Sequence, residues 1–86
     1  MTKPESNLYK TNDLSTAALL DARGHRLIEA ILIGPQRLCF VFERRRDTDV
    51  LVSEHMAGRA EAPARALFEA YRRLRALAFE KTGNLR

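Results

Sequence analysis

Two apolar runs joined by a turn constrain this chain more than any other feature. His25 to Ile33 is rich in Ile and Leu, Gly34-Pro35-Gln36 carries turn-forming residues, and Arg37 to Glu43 contains Phe40, Val41 and Phe42. Branched and aromatic residues on either side of a Gly-Pro turn predict a β-hairpin with a connection of roughly three or four residues. Strict alternation puts Leu27, Ile31 and Ile33 on one side of the first strand and Ile28, Ala30 and Leu32 on the other. In the second strand Cys39 and Val41 oppose Leu38, Phe40 and Phe42. A two-stranded ribbon cannot hide that much apolar surface. Helices should cover one face, and a third strand or a partner should extend the sheet. Leu8-Tyr9-Lys10 is the candidate third strand.

The rest of the chain supplies the helices. Thr11-Asn12-Asp13 reads as a helix start, with Thr11 as cap and Asp13 in the first turn, where the helix dipole favours an anion. Leu14, Ala17, Ala18 and Ala22 follow at helical spacing, joined by Leu19 and Leu20, and Gly24 is a natural left-handed stop, which predicts a helix over about 12–22. Asp47-Thr48-Asp49 starts a second helix, with Val50, Leu51, Val52, His55 and Met56 on its apolar side and Gly58 at its end. Pro63 fits the first position of a third helix over about 63–81. There Ala64, Leu67, Tyr71, Leu74 and Ala78 form one stripe, with Leu77 beside it. Arg65, Glu69, Arg72, Arg73 and Glu80 lie mainly opposite, and Phe68 and Phe79 widen the apolar face. Gly83 marks the end of this helix. The expected fold is α+β: a single small domain over 8–82, ordered helix, β-hairpin, helix, helix, with a short N-terminal third strand. Residues 1–7 and 83–86 are expected as tails.

Size and composition bound what such a domain can be. The 86 residues, 45% hydrophobic and 30% charged, fit one domain and not a disordered chain. Cys39 is the only cysteine, which rules out a disulfide scaffold. No apolar run approaches the roughly 20 residues of a bilayer span. The polar opening Met1-Thr2-Lys3-Pro4-Glu5-Ser6-Asn7 has no apolar segment of the kind a secretory signal carries. No membrane association and a cytoplasmic location are expected. A domain of this size folds alone with little margin, so self-association is open.

The order Leu8-Tyr9-Lys10-Thr11-Asn12-Asp13-Leu14, then Ala17-Ala18-Leu19-Leu20, Gly24-His25 and Phe40-Val41-Phe42-Glu43, resembles a family of small bacterial and phage proteins known only as a domain of unknown function. The resemblance covers about residues 8–80. It implies one α+β domain and a phage or mobile-element origin, and it brings no established catalytic residues to carry over. Arg44-Arg45-Arg46 departs from the family pattern, which favours acidic residues after the strand.

No residue pattern in the chain carries a strong signal for catalysis or metal binding. Cys39, His25 and His55 are the only sulfur or imidazole ligands, and they lack the paired short spacings of a zinc site. Cys39 between Leu38 and Phe40 reads as a core strand residue, His25 as a residue after a helix C-terminus where positive charge is favourable, and His55 as a helix residue beside Met56. Ser15, Thr16 and Ser53 have no nucleophile-elbow pattern, and Glu54-His55 lacks the second histidine of a zinc-protease helix. Isolated glycines make no phosphate loop. The expectation is a non-enzyme with no metal and no cofactor; an enzyme centred on Cys39 or His55 is the weakest alternative.

Two binding surfaces stay open. The first is protein contact, with another protein or with itself, through Leu67, Phe68, Tyr71, Leu77 and Phe79 on the last helix. The second is nucleic acid. Twelve of the fifteen cations are Arg, and nine of these fall into three groups: Arg23 and Arg26 with His25; Arg44, Arg45 and Arg46; and Arg65, Arg72, Arg73 and Arg75. Arg is suited to phosphate, and Arg44, Arg45, Arg46, Arg72 and Arg73 are the candidate contacts. Asp47, Asp49, Glu69 and Glu80 interrupt these groups. The lead expectation is a small accessory or regulatory module acting by protein–protein contact; the alternative is a basic nucleic-acid-binding module.

Overall fold

A computed structural model of the chain describes residues 7–35 and 37–82. The expected tails over 1–6 and 83–86, and Gln36 of the turn, lie outside the described residues. Asn7, placed with the tail by composition, is tied to the fold, since its carbonyl accepts the Arg44 N–H at 2.9 Å.

The architecture is α+β, as expected. The elements run β1 (Leu8–Thr11), α1 (Leu14–Ala22), β2 (Leu27–Gly34), β3 (Arg37–Glu43), α2 (Thr48–Met56) and α3 (Ala64–Thr82). The three strands form one antiparallel sheet in the order β1-β3-β2. The third strand is real: β1 pairs with β3 from Leu8↔Glu43 to Thr11↔Phe40. The most apolar segment thereby takes the centre of the sheet, where Leu38, Phe40, Val41 and Phe42 are all buried. Leu38, Phe40 and Phe42 join Leu19, Leu20, Leu51, Ala70 and Leu74 in one core cluster, so the helices pack on a single face of the sheet.

α1 starts later than the spacing suggests, because Asp13 and not Thr11 is its cap. The Asp13 carboxylate accepts from the Thr16 N–H at 3.1 Å and the Thr16 hydroxyl at 2.6 Å. Thr11 ends β1, and its hydroxyl oxygen accepts the Asp13 N–H instead. Thr16 through Leu20 are all buried, which requires cover on every side. Gly24, at φ +90°, ends the helix in the left-handed region.

β2 departs from simple alternation. Its register with β3 shifts between Leu27 and Glu29, where Ile28 is an extra residue, and again between Leu32 and Gly34. A bulge moves the following side chains to the other face. Leu27 therefore packs against the core on the same side as Ala30, and not with Ile31 and Ile33.

Cys39 also needs correcting. It is only half-buried, lies outside the core cluster, and pairs with exposed Ile31 on the sheet face away from the helices. α3 runs one residue beyond the predicted end, to Thr82. It buries Ala70 and Leu74 and half-buries Leu77 and Ala78. Phe68 and Phe79 stand eleven residues apart, about three turns, and so share one side of the helix. That side faces away from the core: they are 67% and 47% exposed. No helix among the described residues is long and apolar enough to cross a membrane.

Candidate functional site

Among the described residues, a groove of about 570 Å³ lies between α1, the end of α2, the α2–α3 connection and the first turns of α3. Ala18, Leu19, Ala60, Ala62 and Ala64 give it small apolar walls, and Leu67, Phe68 and Tyr71 border it from α3. The hollow exists because alanines occupy the connection. The Arg23 guanidinium donates to the Glu61 carbonyl at 2.8 Å and holds this segment against α1. Ala60-Glu61-Ala62, followed by Ala64, was the available sequence signal: small residues beside a helix start leave space that larger ones would fill.

Ser15 and His55 form the polar end of the groove, with the Ser15 Oγ 3.3 Å from His55 Nε2. The Ser15 hydroxyl donates to the Asp13 carboxylate at 2.8 Å. The order is thus carboxylate, hydroxyl, imidazole. Nucleophilic catalysis needs the imidazole in the middle, receiving the hydroxyl proton. Here that proton is committed to Asp13, whose hydrogen bonds from Thr16 and Ser15 lower its pKa. This arrangement caps a helix and leaves Ser15 without a base.

The five proposed α3 interface residues separate. Leu67, Phe68 and Tyr71 come together at the groove. Leu77 turns into the core cluster, and Phe79 lies about three turns beyond Phe68.

The five proposed phosphate-binding arginines do not form a free cluster. Arg44 pairs with Asp49 at 2.5 Å, and its guanidinium sits 5.4 Å above the Tyr9 ring centroid. Arg45 donates to the Gly24 carbonyl at 3.1 Å. Arg73 pairs with Asp21. Arg46 and Arg72 are exposed and have no partner among the described residues. With the bond from Arg23, three arginines distant in sequence engage the C-terminal end of α1 or fasten it to its neighbours, where the helix dipole favours cations.

His25 is the one buried imidazole, at 3% exposure. Its Nε2 lies 2.8 Å from the Thr48 hydroxyl, which also accepts the Arg45 N–H at 2.8 Å. Nδ1 is buried without a partner. Burial first, and then the positive charge of Arg45, lower the His25 pKa; Asp47, 3.9 Å away, opposes this. The reading of His25 as a residue that welcomes positive charge at a helix end is therefore corrected. Desolvation outweighs the dipole.

Among the described residues, no three His, Cys, Asp or Glu side chains gather as metal ligands. Compared with known proteins, the chain matches no family model, and neither the curated proteins nor the solved structures give a match.

Proposed function

We propose that this chain is a non-catalytic binding module that acts by protein–protein contact, and that the groove beside α3 receives apolar side chains of the partner. One observation carries the reading: Phe68, two-thirds exposed, borders an apolar hollow of about 570 Å³. An amphipathic helix or extended segment with apolar anchors suits such a hollow, and the Ser15–His55 pair gives it a polar end. The commitment of Arg44, Arg45 and Arg73 to contacts within the fold favours this reading over nucleic acid.

The test is capture of partners from nuclease-treated lysate of the source cells. Phe68→Asp should lose the captured protein while the domain stays folded, because the side chain is mostly exposed. Phe79→Asp, on the same side but away from the groove, should retain it. Equal behaviour of the two variants would remove the groove from the account.

A further inference from the structure

β2 is an open sheet edge. Among the described residues it pairs only with β3. It carries a single charge, Glu29, and its exposed apolar residues lie on both faces. Ile31, 38% exposed, faces away from the helices, and Leu32, 48% exposed, lies opposite core residue Leu38; Ile28 and Ile33 add to them. A partner laid on one face of the sheet would cover only one of these sets. A strand beside the edge covers both and also satisfies the open row of backbone N–H and C=O groups.

We infer that this edge pairs with β2 of a second copy of the chain, antiparallel about a two-fold axis, to give a continuous six-stranded sheet. Self-pairing suits the side chains. With Ile31 on the axis it meets Ile31 of the second copy on one face, Ala30 meets Leu32 on the other, and Glu29 faces Ile33. No two Glu29 carboxylates are brought opposite each other. The register shifts at Ile28 and Ile33 confine regular pairing to Ala30–Leu32, with Glu29 and Ile33 at its two ends. Such a short contact lies below the standard interface size, so the dimer is reversible, with a dissociation constant on the order of micromolar. This surface is separate from the α3 groove, and neither reading depends on the other.

Cys39 supplies a built-in ruler. It sits opposite Ile31 in β3, so the two copies of Cys39 stand three strand spacings apart, about 14 Å. The experiment is sedimentation of the full chain over a concentration series, together with a bis-maleimide of about that span. A monomer–dimer equilibrium and a covalent dimer through Cys39 are expected. Ile31→Lys should weaken the dimer at least about tenfold, with an unchanged circular dichroism spectrum. Ile33→Glu, which sets a like charge opposite Glu29 of the second copy at a more exposed position, is the second variant should the first misfold. Phe68→Asp should leave the dimer intact. A chain that stays monomeric to about millimolar concentration, or a dimer that survives both variants, overturns the inference. Loss of the dimer on Phe68→Asp also overturns it, because it would place the contact at the groove.

Discussion

At the scale of single residues, His25 is the most exacting position. It is buried, neutral, and bonded to a threonine that also holds the Arg45 backbone. Its native pKa is lowered from 6.5, so between the two values the unfolded chain binds more protons than the folded one. The stability this group contributes is complete above pH 6.5 and is lost as pH falls through the lowered native value. The thermal midpoint should therefore fall between pH 7.5 and 5, and His25→Gln should flatten that slope even if it lowers the midpoint at every pH. An unchanged slope in the variant would assign the pH dependence elsewhere. None of this could be read from the residues flanking His25. The Gly24-His25 step shows a helix end, but the groups that enclose the imidazole, Thr48, Arg45 and Asp47, come from twenty or more residues away.

At the scale of elements, local chemistry decides where things begin and end. Asp13 fixes the start of α1, so Asp13→Ala should cost about 1 kcal/mol in denaturant unfolding, and Asp13→Asn much less. An equal loss in both would show that the cap bonds do not matter. The α3 stripe, the hairpin and the Gly24 stop were legible, because spacing and glycine conformation are local properties. The Ile28 bulge was not, since a strand's register depends on what its neighbour offers, and that moved Leu27 to the core face. Thr11 and Asp13 are both capping residues; the demand of β1 for Thr11 decided between them.

At the scale of the whole molecule, the arginines show how sequence clustering and spatial role part company. Arg44-Arg45-Arg46 looks like an anion site along the chain, yet Arg44 and Arg45 are fastened to Asp49, Tyr9 and Gly24. Arg44→Glu combined with Arg45→Glu should lower the thermal midpoint, with no salt-dependent nucleic-acid binding to lose. Steep salt-dependent binding by the native chain, abolished in the double variant, would restore the phosphate reading. Leu67 and Tyr71 in the α3 stripe and Phe68 beside it are legible as an apolar helix face; that Ala60, Ala62, Ser15 and His55 line a groove with them is not, because the groove forms only when three helices and a connection meet.

If another protein docks at the groove beside Phe68, a probe at that position should meet it. The most direct measurement places a photo-crosslinking amino acid at position 68, with a second sample carrying it at Lys10 on β1 as reference, and irradiates nuclease-treated source-cell lysate. One discrete protein adduct is expected from position 68 and none from position 10. Equal labelling from both positions, or no adduct from 68 while the chain is folded, would contradict docking at the groove.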